Sequence, residues 1–297
     1  MQTIVDPARQ TNGEQATLWS GIAARAWVEM QALLDQVLKP LENLLVETIC
    51  AKSGGRVLDV GCGTGGTTLA VARLLGANGR CIGIDISDQM IAAARARADR
   101  EGTTADFISA DAQVHAFEPS SLDMIISRFG VMFFDDSVKA FANLRCAARD
   151  DAELRFLAWR SPAENPFMTT AERAAAPLLP NIPAREPDAP GQFAFADRRR
   201  VNRILEESGW AEIDIRPVDV SCNLPEKELV RYFTQLGPLG RVLHEADEQT
   251  RTQIVEKVRA AFDPYVHGDE VRFNTACWMV DARSPSSSVG SKEARNG

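Results

Sequence analysis

A chain of 297 residues with 45% hydrophobic content is long enough to bury a large core within one domain. Its formal net charge of −8 argues against nucleic-acid binding, because affinity for that backbone comes from Lys and Arg neutralising phosphates. The sequence shows no signal peptide and no apolar run of membrane-spanning length, so we expect a cytoplasmic protein without membrane insertion.

The N-terminal part of the chain predicts a helical cap. Residues 1–11 lack periodicity and are expected to form a flexible arm. Over residues 12–50 apolar residues recur at helical spacing, with an interruption predicted at Pro40. We therefore expect the cap to precede the first strand of the domain.

A glycine-rich stretch follows the cap. Residues 57–60 are mostly apolar and end abruptly at Gly61, and an apolar stretch of helical length follows over 66–75, which predicts strand, tight turn and helix. Glycines at such a junction let a ligand lie against main-chain N–H groups. The pattern Gly61-x-Gly63-x-x-Gly66 also fits dinucleotide-binding proteins, but alone it is a weak signal.

Three aspartates follow one another at the ends of predicted strands. Asp59, Asp85 and Asp111 are spaced by roughly 26 residues, which is about one strand–helix unit of a parallel sheet. Their carboxylates are expected to converge on one sheet edge. Asp59, placed just before the glycines, would repel an anionic pyrophosphate, so a cationic ligand fits better.

The rest of the chain continues the alternation of strands and helices. Strands are predicted at 56–60, 80–86, 105–110, 122–127, 153–159, 211–219 and 271–280, and helices at 66–75, 87–100, 137–148 and 198–208. The last strand is expected to be an antiparallel edge strand. Insertions at 160–197, which is Pro-rich, and 221–268, which is helical, should cover the same edge as the N-terminal cap. Residues 12–282 would form one domain, followed by a disordered tail at 283–297.

These motifs resemble those of a known enzyme family. Residues 57–65, 83–87 and 110–112 look like successive motifs of class I S-adenosylmethionine-dependent methyltransferases, and residues 127–134 resemble the fourth-strand motif of small-molecule enzymes related to the ubiquinone and menaquinone biosynthesis methyltransferases. The resemblance implies a Rossmann-like, doubly wound α/β fold with a seven-stranded, mostly parallel sheet. It also implies S-adenosylmethionine as cofactor and methyl transfer to a small-molecule acceptor.

The resemblance assigns roles to residues along the sheet edge. Asp85 would bind the ribose hydroxyls, Asp111 the adenine amine and Ala112 the adenine ring edge, while Asp59 with Gly61 and Gly63 would hold the ammonium group of the methionine moiety. Other expected cofactor-binding residues lie in the glycine turn, after the second strand and after the fourth: Cys62, Thr64, Gly65, Ile86, Met90, Ser127 and Phe129. Met90 could equally be plain core.

The candidates for substrate chemistry are fewer. Arg128 could orient an anionic substrate or pair with a carboxylate of the cap. His244 is the best candidate for a general base among the three histidines. Trp19 and Trp27 either pack in the core of the cap or form a lid that excludes water from the methyl donor.

Two other functions stay open at this point. An NAD-dependent oxidoreductase would rest on the glycine pattern alone, and a non-catalytic S-adenosylmethionine-binding protein would keep the fold without transfer. The six cysteines are scattered without a C-x-x-C pair, so we expect neither a metal site nor a disulfide framework. The oligomeric state is not determined by the sequence, with a homodimer among the options.

Overall fold

The computed structural model describes residues 13–49, 55–179 and 188–286. The arm predicted at 1–11 lies outside these residues, as does the predicted tail from residue 287 onwards. Within the described part of the chain, no helix is both long enough and apolar enough to cross a membrane.

Helices and strands alternate through most of the chain. In order, the first half contains α1 (Gly13–Ser20), α2 (Ile22–Glu29), α3 (Gln31–Glu47), β1 (Arg56–Val60), α4 (Gly66–Leu75), β2 (Arg80–Asp85), α5 (Asp88–Glu101), β3 (Asp106–Ser109), β4 (Leu122–Arg128), α6 (Ser137–Ala147) and β5 (Ala148–Trp159). The second half contains α7 (Pro166–Ala175), α8 (Arg198–Glu207), β6 (Ala211–Pro225), α9 (Leu229–Gln235), α10 (Gly237–Val242), α11 (Glu248–Ala261), β7 (Val266–His267) and β8 (Glu270–Arg283).

One sheet unites the strands in the order β3-β2-β1-β4-β5-β8-β6, with the short β7 paired to β8. Strands β3, β2, β1, β4 and β5 pair in parallel, whereas β8 is antiparallel to both of its neighbours. The predicted fold class, a mostly parallel Rossmann-like sheet with an antiparallel last strand, is confirmed. The sheet has eight strands and not the predicted seven, because the two-residue β7 pairs with β8.

The predicted edge position of the last strand is wrong. Strand β8 lies between β5 and β6, and most of its residues are buried, as a strand with neighbours on both sides requires. The edge is occupied by β6, whose residues are mostly exposed or half-buried. Pro217 lies within β6, and a residue that cannot donate a main-chain hydrogen bond suits an edge strand.

Strand β8 also extends to Arg283, and the N–H of Ser284 donates to Ala152 O at 2.9 Å, so ordered structure reaches beyond residue 282.

The N-terminal cap consists of three helices, and α3 continues through Pro40. The predicted interruption is therefore wrong. A proline inside a helix costs one main-chain hydrogen bond, but α3 buries a long apolar face that includes Leu41 and Leu45, both fully buried. This face belongs to the same hydrophobic core as the central strands, because α3 packs against β4, β5 and β6. Burial of this face offsets the local cost of the proline.

Truncation of α3 on this face tests whether cap and sheet share one core. Leu41→Ala should lower the free energy of unfolding by about 2–5 kcal/mol, because it leaves a cavity in a close-packed interior. Leu74→Ala, at a position in α4 that is 44% exposed, should change it by less than about 1 kcal/mol. Urea denaturation measures both values. Equal small effects of the two substitutions would show that the cap folds apart from the sheet.

Candidate cofactor and substrate site

The glycine turn between β1 and α4 lies at the carboxyl end of the sheet. Gly61 and Gly63 have φ angles of 68° and 55°, a left-handed conformation that favours glycine. A Cβ on Gly61 would lie 2.5 Å from Gly130 Cα, so the turn packs directly against the backbone that follows β4. Both glycines line a cavity of about 1000 Å³.

Asp85 ties the end of β2 to the glycine turn. Its Oδ2 accepts a hydrogen bond from Gly63 N at 2.9 Å, and its Oδ1 accepts one from Ser87 N at 2.9 Å. Burial raises the pKa of the Asp85 carboxyl, and these main-chain donors oppose the shift. Asp85 lines the cavity, where its remaining lone pairs can accept hydrogen bonds from ribose hydroxyls.

Asp111 follows β3 and also lines the cavity. Its Oδ1 accepts a hydrogen bond from Gln113 N at 2.9 Å, while Oδ2 is buried and has no hydrogen-bond partner among the described residues. Because buried carboxylate oxygens are normally satisfied, this atom calls for a donor from a ligand. The amine of an adenine ring would supply that donor, so the residues present fit S-adenosylmethionine.

Asp59 does not reach the cavity. It is almost fully buried within β1, and Thr68 of α4 donates a hydrogen bond to its Oδ2 at 2.6 Å. Burial raises its pKa to about 7, against the opposing effects of the Thr68 hydrogen bond and the charge of Arg128. The predicted direct contact with the ammonium group is therefore not supported, because the Asp59 side chain is directed to α4 beneath the turn.

Arg128, at the end of β4, points to the cap. Its Nη1 lies 3.8 Å from Oε2 of Glu42, a buried residue of α3, and has no hydrogen-bond partner among the described residues. Nearby, Arg97 Nη2 lies 2.8 Å from Asp35 Oδ2, and Arg97 Nη1 donates to Thr64 O at 2.8 Å. The predicted pairing of Arg128 with a cap carboxylate is thus the alternative that the geometry favours.

Sequence reasoning missed Asp35, Glu42 and Arg97. The two carboxylates lie one heptad apart on α3, within the buried stripe that contains Leu38 and Leu41. A charged residue inside an apolar stripe signals a buried partner, since ionised side chains are rarely buried unpaired.

Several predicted cofactor residues support the site without lining the cavity. Ser127 Oγ donates to Val60 O at 2.7 Å and accepts from Gly130 N at 3.1 Å, so it joins the ends of β1 and β4. Cys62 is buried in the small core beneath α4 and α5. Thr64 contributes its carbonyl to Arg97, and Gly65 lies at the start of α4.

The other predicted residues do line the cavity, namely Trp19, Trp27, Ile86, Met90, Ala112, Phe129 and also Arg128. Trp19 packs edge-on against Phe133 and Trp27, with ring centroids 5.3 Å and 6.0 Å apart. The ring of Phe129 stacks on Trp159 at 4.0 Å. Phe129 has a φ of 69°, a strained value for a bulky residue, and such strain concentrates at functional sites.

His244 is not brought to the site. It lies in a short turn of helix at Leu243–Glu245, where Leu243 is buried and the His244 side chain is exposed. No histidine lies among the described residues that line the cavity. Among the residues that the structure covers, no group of three or more His, Cys, Asp or Glu could hold a metal ion.

Comparison with known proteins finds a family match over the first strands of the sheet. Residues 57–151 match the family described as "Methyltransferase domain". An uncharacterised protein of Mycobacterium tuberculosis is 29% identical over 160 residues, which cover 53% of this chain and 55% of the relative. A demethylmenaquinone methyltransferase of Staphylococcus saprophyticus is 23% identical over 186 residues, which cover 60% of this chain and 79% of the relative.

The fold has solved counterparts. The crystal structure of YcgJ protein from Bacillus subtilis matches with a TM-score of 0.55 at 16% identity, over 82% of this chain and 98% of that chain. The match agrees with the predicted resemblance: residues 57–151 form a methyltransferase domain, and the solved structure shows the same fold. The chain spans about half the length of the first curated relative, at 55%.

The raised pKa of Asp59 makes stability depend on pH. The folded protein protonates this carboxyl at about pH 7, against an ordinary value of 3.8. The folded state binds this proton more tightly than the unfolded state does, and this difference stabilises the fold. The stabilisation is complete below pH 3.8 and is lost as the pH rises through 7. Asp59→Asn cannot ionise, so its free energy of unfolding relative to wild type should rise between pH 5 and pH 8, by roughly 2–4 kcal/mol at about 1.4 kcal/mol per pKa unit. Urea denaturation across this range measures the difference.

Asp247→Asn is the matched control. Asp247 caps α11 by accepting a hydrogen bond from Thr250 N at 2.9 Å, and this lowers its pKa. Its contribution is lost only as the pH falls through that lowered value, so the profile of Asp247→Asn should run parallel to wild type between about pH 5 and pH 8. A parallel profile for Asp59→Asn as well would contradict the raised pKa.

Proposed function

We propose that this chain transfers a methyl group from S-adenosylmethionine to a small, partly apolar molecule. The observation that carries the proposal is a single cavity lined by two chemically different groups of residues. One group, here called the donor end, comprises the glycine turn, Asp85 and Asp111, and the other comprises aromatic side chains of α7 and α9, including Phe167 and Phe233. Such a cavity can hold the donor and an acceptor side by side.

The residues at the donor end divide the binding among them. Asp85 accepts hydrogen bonds from the ribose, and the buried Oδ2 of Asp111 accepts one from the adenine amine. Ile86 and Met90 line the same end and provide apolar contact with the adenosine. Gly61 and Gly63 lack side chains, so the methionine moiety can lie against the main chain.

Methyl transfer requires little from the protein beyond correct positioning of the donor and the acceptor. S-adenosylmethionine supplies a methyl group already activated on a positively charged sulfur, so transfer needs alignment and a dry cavity. Trp19 and Trp27 act as the lid of that cavity, and the pairs of Arg97 with Asp35 and Arg128 with Glu42 hold α3 over the turn. His244 has no part in the proposal, because its side chain is exposed away from the cavity.

A small acceptor also agrees with the relatives. One of them is named as a demethylmenaquinone methyltransferase, whose substrate is a small molecule. The NAD-dependent alternative still rests on the glycine pattern alone. A cofactor-binding protein without transfer has the same fold, so activity must be measured directly.

An assay with isotopically labelled S-adenosylmethionine tests the proposal. The wild-type protein should label at least one member of a panel of phenols, quinols, amines and thiols. Asp111→Asn should weaken binding of S-adenosylhomocysteine by about tenfold, because it removes one charged acceptor from a buried site. Calorimetry measures that affinity.

Asp106→Asn is the control for charge removal, since Asp106 lies at the start of β3 in an exposed pair with Arg80. It should bind S-adenosylhomocysteine as wild type does. Tight binding with no labelled product from any acceptor class would instead identify a non-catalytic cofactor-binding protein.

A further inference from the structure

Residues of α7, α9, α10 and the end of α11 form an aromatic part of the cavity lining, here called the aromatic chamber. Its lining includes Phe167, Tyr232, Phe233 and Phe262. The ring centroid of Phe167 lies 5.9 Å from that of Tyr232 and 5.1 Å from that of Phe262, and Phe233 stacks on Phe262 at 5.7 Å. Phe167, Phe233 and Phe262 are each no more than 2% exposed, so these rings pack chiefly on one another and give the lining an apolar character that suits a flat apolar ligand.

Tyr232 places a hydroxyl group in this apolar wall. The partner that its oxygen finds is Met168 Sδ at 4.0 Å, and a thioether is a weak acceptor. Burial raises the pKa of Tyr232 to about 12, so the side chain stays protonated at neutral pH. The chamber therefore holds a hydrogen-bond donor without a strong acceptor.

Gln235 lies three positions further along α9, where side chains share one face of a helix. It lines the same cavity, and its Oε1 is buried without a hydrogen-bond partner among the described residues. An unsatisfied buried acceptor is costly, so native structures normally pair it. The wall thus offers one donor and one acceptor on the same face of α9.

We propose that Tyr232 and Gln235 form a recognition pair for a neutral hydroxyl group on a planar aromatic acceptor. A hydroxyl oxygen accepts from Tyr232 Oη, and its proton is donated to Gln235 Oε1, so both groups are satisfied at once. An ether can satisfy only Tyr232. A carboxylate would set its charge against the Gln235 oxygen in apolar surroundings. This inference rests on the proposed function, since it names the class of molecule that the chamber presents to the donor.

The pair acts by binding and not by proton abstraction. Tyr232 is protonated at neutral pH and an amide has no basic oxygen, so neither group takes a proton from the acceptor. Tyr232 and Gln235 are therefore positioning residues for the acceptor.

Three naphthalenes of matched shape test the inference on the protein saturated with S-adenosylhomocysteine. Calorimetry should show 2-naphthol binding about tenfold more tightly than 2-methoxynaphthalene, because only the hydroxyl can donate. It should also bind more tightly than 2-naphthoate. Tighter binding of 2-naphthoate would overturn the inference and point to Arg241, a cationic residue that also lines the cavity.

Substitutions locate the preference. Gln235→Leu should reduce the preference for 2-naphthol to less than about threefold while affinity for 2-methoxynaphthalene is kept. Tyr232→Phe should weaken both ligands about equally and keep the preference, because both accept a hydrogen bond from Tyr232. Tyr265→Phe and Gln253→Leu are matched controls, since Tyr265 contacts the same ring cluster without lining the cavity and Gln253 is exposed on α11. Both controls should keep the full preference. An unchanged preference in Gln235→Leu, unchanged affinities in Tyr232→Phe, or no binding of any naphthalene, would overturn the inference.

The titration with S-adenosylhomocysteine separates this inference from the proposed function. Binding of that compound without a preference for 2-naphthol overturns the recognition pair alone. Failure of S-adenosylhomocysteine to bind, with the preference for 2-naphthol intact in the unliganded protein, overturns the proposed function and leaves the recognition pair in place.

Discussion

The close contact between Gly61 and Gly130 determines the shape of the site. A Cβ on Gly130 would lie 2.5 Å from Val60 O and 2.6 Å from Gly61 Cα, so side chains at either position would separate the ends of β1 and β4. The close contact between these two backbone segments brings the glycine turn and Phe129 to the same cavity. It also leaves main chain, and no side chain, at the point where the methionine moiety is proposed to lie.

Ion pairs connect helix α3 of the cap to the residues around the glycine turn. Arg128, which follows Ser127 at the end of β4, faces Glu42 of α3, and Arg97 of α5 links Asp35 to the turn. Buried ion pairs add little net stability, because desolvation offsets most of the attraction. Their more specific effect is on the position of α3, since a displaced helix would leave Arg128 without its ion pair to Glu42. Glu42 and Asp35 also have partners within α3, namely Lys39 and Gln31. These contacts join α3 to the end of β4 and to α5, which lie beside the glycine turn.

Much of the fold could be predicted because its signals are local. The glycine turn fixed the bounds of β1 and α4, and β2, β3, β4 and α5 differ from prediction by one residue at an end. Asp85 and Asp111 were found because strand ends in a parallel sheet share an edge. The position of β8 between β5 and β6 is a non-local pairing, although Pro217 in β6 already disfavoured an interior place for that strand.

The remaining errors have a common physical cause. In each case the conformation or role that the local sequence suggests was outweighed by burial of side chains in the folded structure, which the sequence does not show directly. Apolar packing carries α3 through Pro40, Thr68 holds Asp59 beneath the turn, and the burial of Leu243 leaves His244 exposed. The strained backbone of Phe129 has no sequence signal at all, because it follows from contacts at the end of β4.

The central claim is that a sulfonium cofactor, and not a dinucleotide, lies across the glycine turn. Thermal unfolding of the wild-type protein with S-adenosylhomocysteine or with NAD tests it most directly. A ligand at about 100 times its dissociation constant stabilises the folded state by about 2.7 kcal/mol, enough to raise the melting temperature by several degrees. S-adenosylhomocysteine should produce that rise and NAD should not. A rise with NAD alone would contradict the account.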